Sequence, residues 1–222
     1  MPVVSKLTEQ GMILIKSTFM EIQKFTEQTF NIGELSGIGA KNIEEHLKLY
    51  KGYVTNTNSV IEKISSLSQG FFRDGEDNGY LIAELFRRFS FEYNGMRNHE
   101  VYFSSLSGGA RALNPESDLA KQITKECISL EIFLMGFKNM ALTRGVGWAV
   151  LWYDKKDKRL IASWVDEQHL GQLNGCEMIL ALDMWEHAYV YDYATSEKKK
   201  YIDAFFANIN WSVIEDNFEK VK

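Results

Sequence analysis

Asp183-Met184-Trp185-Glu186-His187-Ala188-Tyr189 follows the apolar run Met178 to Leu182, and its reading decides the fold. A short apolar run of this kind reads as a buried strand. A carboxylate directly after such a strand, with an imidazole four residues on, can place two metal-binding heads at one spot. The rest of the chain then has to supply the remaining donors.

Composition sets the outer limits. At 222 residues, 45% hydrophobic and 13% aromatic, the chain can bury a sizeable core as one large domain or two small ones. A formal charge of −5 argues against a nucleic-acid partner, which wants clustered Lys and Arg on one face. Attraction of an anionic substrate would have to come from a local patch. Cys127 and Cys176 form no metal-spacing motif and read as small buried hydrophobes, a usage that fits a reducing compartment. No basic stretch followed by a long apolar region marks a signal peptide, and the apolar runs are too short to span a bilayer. The expectation is a soluble, cytoplasmic protein with no membrane partner.

Outward from the opening stretch, the chain divides into three parts. Residues 1–29 read as an N-terminal helical extension, with Met12, Ile13, Ile15, Phe19, Ile22 and Phe25 at mixed helical spacing. Residues 30–110 read as a helical hairpin. After a glycine-containing loop to Gly39, a helix starts near Lys41 and carries His46, Tyr50 and Tyr53 on one face. Ser65 to Gly79 reads as a polar connection, and a second helix runs from about Tyr80 to Leu106 with His99, Phe103 and Leu106 on one face. Each face reads equally as a core stripe that includes a histidine. On neighbouring antiparallel helices, His46 and His99 can instead form two arms of a chelate.

Residues 111–222 read as an α/β domain beyond the Ser107-Gly108-Gly109 and Asn114-Pro115 punctuation. Helices cover Asp118 to Met140. Gly145 to Tyr153 then takes the pattern of a buried strand, Asp154 to Lys158 is a charged turn, and Arg159 to Val165 is the hairpin partner. A third strand, Glu177 to Leu182, delivers Asp183. A helix from about Glu186 and a last one through Tyr201, Phe206 and Trp211 close the domain.

Asp183-x-Trp185-Glu186-His187-Ala188-Tyr189 resembles the C-terminal signature of the iron/manganese superoxide dismutase family. Tyr53-Val54-Thr55-Asn56-Thr57-Asn58 is similar to that family's Tyr-Val-x-Asn-Leu-Asn segment. Asn98-His99 with Tyr102-Phe103 resembles its Asn-His-x-x-Phe/Tyr-Trp segment, Phe103 standing where Trp is usual. Gly145-Val146-Gly147-Trp148 and Asn210-Trp211 echo further family segments. The resemblance runs from about residue 30 to the end.

The resemblance implies an α+β fold, an N-terminal antiparallel helical hairpin followed by an α/β domain with a three-stranded antiparallel sheet. It implies one Mn or Fe ion held by His46, His99, Asp183 and His187, with solvent as a fifth ligand and superoxide as substrate. Tyr53 would stand at the mouth of the pocket, Trp148 would shield it, and Gln168 or its neighbour His169 would contact the bound solvent. Iron-type members place Gln four residues before the second His; manganese-type members have Gly there and bring Gln from the C-terminal sheet. Gly95 and Gln168 therefore lean to manganese, with iron or either metal close behind. Glu186, beside His187, keeps the position that meets the partner subunit in the family, so a homodimer is expected.

Several positions depart from the family pattern. The first His lies eight residues before the Tyr in the family but seven here, with Glu45 at the strict position. Val190 replaces the second Tyr of the dimer motif, and Leu49 or Tyr50 replaces the His that it bridges to, so Tyr50 is expected to help rebuild the gateway. Glu197 takes the place of the anion-guiding Arg, followed by Lys198, Lys199 and Lys200. Rival readings are a non-haem iron oxygenase or di-iron bundle, which wants Glu-x-x-His pairs absent here, and a non-catalytic metal-binding or scaffold relative.

Overall fold

A computed structural model of the chain describes residues 23–74 and 77–222. Two long antiparallel helices come first, α1 over Ala40–Asp74 and α2 over Gly79–Leu106. Helices α3, Asp118–Cys127, and α4, Leu130–Ala141, lead into strands β1, Gly147–Asp154, β2, Arg159–Asp166, and β3, Cys176–Asp183. Helices α5, Lys198–Asn208, and α6, Trp211–Val221, close the chain. The fold is α+β, with the helical pair ahead of a three-stranded antiparallel sheet in the order β2-β1-β3.

The sheet is built around β1, in which Gly147 to Tyr153 are all buried. Continuous apolar character suits a strand flanked by both others and packed on both faces. Register decides the site: Trp148 pairs with Val165 on one side and with Asp183 on the other. The indole and the carboxylate are therefore cross-strand neighbours at the end of the sheet.

α1 starts where the Asp192 carboxylate accepts hydrogen bonds from Gly39 N (2.8 Å) and Asn42 Nδ2 (2.9 Å). A negative group at that end complements the unpaired N–H groups and the helix dipole. The expected connection from Ser65 does not begin there, because the helix runs on to Asp74. Val60, Ile64 and Leu67 continue the helical spacing as buried or half-buried positions, so packing outweighs the weak helix preference of the serines. α1 runs without interruption, and seven residues make two α-turns, so His46 and Tyr53 share one face. The shortened spacing therefore needs no bulge.

Two further expectations are corrected, and a third lies largely outside the described residues. The extension helix falls largely on residues outside the described ones; residues 23–29 are non-helical, with Phe25 N and O both bonded to the Asn58 side chain at 2.9 Å. The helix expected from Glu186 is a single 3-10 turn, Glu186–Ala188. The last expected helix is two, because the chain breaks at Ile209 and Asn210 starts α6 by accepting from Ser212 N at 3.2 Å.

Candidate metal centre

His46, His99, Asp183 and His187 meet between the ligand faces of α1 and α2 and the end of β3, with one donor atom from each lying within 4.8 Å of the others. Asp183 Oδ2 stands 3.1 Å from His46 Nε2, 3.2 Å from His187 Nε2 and 3.5 Å from His99 Nε2. The side chains of His46, His99 and Asp183 are fully buried, and that of His187 is 21% exposed. Solvent therefore reaches the cluster on the His187 side.

Each member is oriented from behind. Asp183 Oδ1 accepts from Trp185 N at 2.8 Å, which turns the other oxygen toward the imidazoles. His99 Nδ1 donates to Gly95 O at 2.6 Å, so its Nε2 carries the lone pair. That Nε2 is buried without a hydrogen-bond partner. A lone pair hidden from water and left unmatched is costly, and a cation at the centre of the cluster would satisfy it. The donor set, three imidazoles and one carboxylate, fits a first-row metal ion.

Burial pushes the His99 imidazole down to about 3, with repulsion from His46 in the same direction. Burial also lowers His46, outweighing the opposing pull of Asp183. For Asp183 burial alone would raise the carboxyl, yet the charge and hydrogen bonds of His187 and His46 prevail and hold it well below the usual carboxylate range. Lowered imidazoles at His46 and His99 beside an ionised Asp183 suit the protonation states that metal ligation requires.

A second layer surrounds the cluster. Trp148 Nε1 donates to Gln168 Oε1 at 2.9 Å, and Gln168 Nε2 donates to the Tyr53 hydroxyl at 2.9 Å. Tyr53 lies with its ring centroid 5.0 Å from that of His99, and burial raises its phenol well above the usual value. Gln168 is fully buried, whereas His169 is half-buried and packs edge-on to Phe91 at 5.6 Å. Of the two neighbours, Gln168 is the one joined to Tyr53. Tyr50 is 2% exposed, and its hydroxyl accepts from Gln28 N (2.8 Å) and donates to Glu100 Oε1 (3.2 Å). It is buried, with its hydroxyl joined to Gln28 and to Glu100 of α2.

Several contributors were not singled out for these roles in the sequence. Trp185 stacks on His187 at 5.7 Å and donates from Nε1 to Glu167 O at 3.1 Å. Asn98 Nδ2 and Gln172 Nε2 donate to Gln168 O at 3.0 and 3.2 Å. Glu167 takes a left-handed φ of 51°, a conformation that nothing in its residue type announces. Asn98 precedes His99 directly and Trp185 lies two residues from both Asp183 and His187, and that closeness in sequence is the signal that could have found them. Of the lysine run, Lys198 donates to Gly145 O at 3.1 Å and Lys200 pairs with Glu197.

Residues 115–217 match the sequence family described as iron/manganese superoxide dismutases, C-terminal domain. The chain is 34% identical over 187 residues to an iron superoxide dismutase of Aquifex aeolicus, covering 84% of this chain and 86% of that protein. It is 31% identical over 180 residues to an iron superoxide dismutase of Pyrobaculum aerophilum, covering 79% and 81%. It is also 30% identical over 193 residues to a mitochondrial manganese superoxide dismutase of Glossina morsitans morsitans, covering 85% of each chain.

Proposed function

Because the chain belongs to the iron/manganese superoxide dismutase family, we propose that His46, His99, Asp183 and His187 hold the single metal ion of a superoxide dismutase. The activity converts two superoxide anions and two protons to dioxygen and hydrogen peroxide. The observation that carries the ligand assignment is the convergence of three imidazole Nε2 atoms on one buried carboxylate oxygen, at 3.1, 3.2 and 3.5 Å. When bound, a manganese or iron ion supplies one-electron chemistry by alternating between its divalent and trivalent states.

The chain's own groups bind, exclude water and hold protons. Burial of His46, His99 and Asp183 keeps bulk water from three sides of the site. Trp148 fixes the Gln168 carbonyl, so the amide presents an N–H to Tyr53. With its oxygen engaged as an acceptor, Tyr53 keeps its own O–H free to donate toward the site. Its raised pKa means that the proton stays in place through neutral pH.

Manganese is the metal that this second layer favours. A Cβ at Gly95 would lie 2.5 Å from Tyr53 Cδ1, so the position four residues before His99 has no room for a glutamine. The buried glutamine comes instead from residue 168, just beyond β2. The homodimer is supported by the exposed apolar side chains of Val190 (50%) and Tyr191 (52%), which follow the exposed Glu186 closely in the chain, and of Leu49 (42%) on α1. Division at residue 110 into a hairpin unit and an α/β unit is supported by the Gly108-Gly109 turn between α2 and α3. No helix among the described residues is long and apolar enough to cross a membrane, and the two free thiols, Cys127 and Cys176, support a cytoplasmic setting.

The test is to strip the purified protein of metal, reload separate portions with manganese and with iron, and follow superoxide decay with and without azide. Azide-sensitive activity restored by manganese is the expected result. Activity restored by iron alone would overturn the metal choice, and activity restored by neither would favour the scaffold reading.

A further inference from the structure

We infer that Tyr50, Glu100 and Arg97 form a positioning brace between the two ligand-bearing helices, fixing how His46 and His99 sit against Asp183. The inference rests on the metal-site reading above. Tyr50 follows His46 by one turn of α1, and Glu100 follows His99 directly on α2. The Tyr50 hydroxyl donates to Glu100 Oε1 at 3.2 Å, so the link joins the backbones that carry the two imidazoles.

Every atom of the link is held. Gln28 N donates to the Tyr50 oxygen at 2.8 Å, which leaves the single hydroxyl proton directed at Glu100. Arg97 Nη1 takes the second oxygen of Glu100 at 2.7 Å. The guanidinium lies 5.3 Å from both the Phe25 and the Tyr93 ring centroids, and its Nε donates to the Tyr93 hydroxyl at 3.4 Å. Phe103 transmits the alignment through packing, with its ring 6.2 Å from Tyr50, 4.8 Å from His46 and 6.1 Å from His99.

Stability alone does not account for this arrangement. Glu100 is 7% exposed, and hiding a carboxylate costs enough that an apolar pair of equal size would stabilise the interface at least as well. What directional bonds add is register, because one donor and one acceptor geometry satisfies them and sliding of α1 on α2 breaks them. The brace lies outside the groups that touch the metal, so its loss should act through ligand geometry.

The experiment loads wild-type, Tyr50→Phe, Glu100→Gln and double-variant proteins with manganese. It records the Mn(II) electron paramagnetic resonance spectrum and the rate of metal loss to excess chelator in the folded state. Tyr50→Phe preserves the ring packing and serves as the variant least able to disturb folding. Each single change should alter the spectrum and speed metal loss about three- to tenfold, less than the tenfold or more for direct partners of ligands. The double variant should be no worse than the worse single, since both break one link. Wild-type spectra and loss rates in both single variants, whatever their melting temperatures, would overturn the brace alone. Wild-type protein that takes up neither manganese nor iron would overturn the metal-site reading and the brace with it.

Discussion

The phenol ring of Tyr53 lies directly on Gly95, so closely that a Cβ at residue 95 would stand 2.5 Å from Tyr53 Cδ1 and 2.6 Å from Cε1. Gly95 is thus the floor on which Tyr53 rests, and its carbonyl at the same time accepts from His99 Nδ1. Gly95→Ala should push the phenol off Gln168 and slow turnover about tenfold, the loss of roughly one hydrogen bond. The metal should remain. Steady-state superoxide decay and metal analysis of the variant check both halves.

Tyr53→Phe removes the proton and leaves the ring. Retained metal with a reduced maximal rate, and little change at low superoxide, is the expected outcome. Pulse-radiolysis traces across a range of superoxide concentrations separate these regimes. An unchanged maximal rate would mean that Tyr53 only fills space.

Tyr50 makes stability pH-dependent on the alkaline side. Burial pushes its phenol up to about 12, against the Gln28 N–H bond and with help from the nearby Glu100 charge. In the unfolded chain the group ionises from about pH 10, so its contribution is fully present below pH 10 and is lost as pH rises toward 12. Urea midpoints between pH 9 and 11.5 should fall less steeply for Tyr50→Phe than for the wild type.

Val190 and Tyr191, three and four residues after His187, are exposed apolar side chains, as is Leu49 on α1. If a second copy covers them, Val190→Asp should place a charge in a dry interface and convert the dimer to monomer. Sedimentation equilibrium measures this directly. A wild-type protein that sediments as a monomer at micromolar concentration would rule the dimer out.

The opening stretch was readable because its chemistry is local: a carboxylate ends an apolar strand and an imidazole follows it by four residues. The face shared by His46 and Tyr53 was readable for the same reason, since two turns of helix are a matter of counting. The course of α1 past Ser65 was not, because burial of Val60, Ile64 and Leu67 at helical spacing outweighs the weak helix preference of the serines. Nor was which of Gln168 and His169 bonds to Tyr53. It depends on the left-handed Glu167 and on carbonyls held by Trp185 and Asn98, contacts that join distant parts of the chain. Tyr50 was drawn inward by Glu100, fifty residues away, and no pattern around Tyr50 itself announces that partner.

His187 is the partly exposed member of the cluster and contributes one of its three nitrogens. The direct measurement is the metal content per chain of wild-type and His187→Ala protein after identical loading and dialysis against chelator. The account predicts about one manganese or iron ion per wild-type chain and almost none in the variant, with superoxide decay lost in parallel. A folded His187→Ala protein that keeps a full complement of metal and wild-type activity would contradict it.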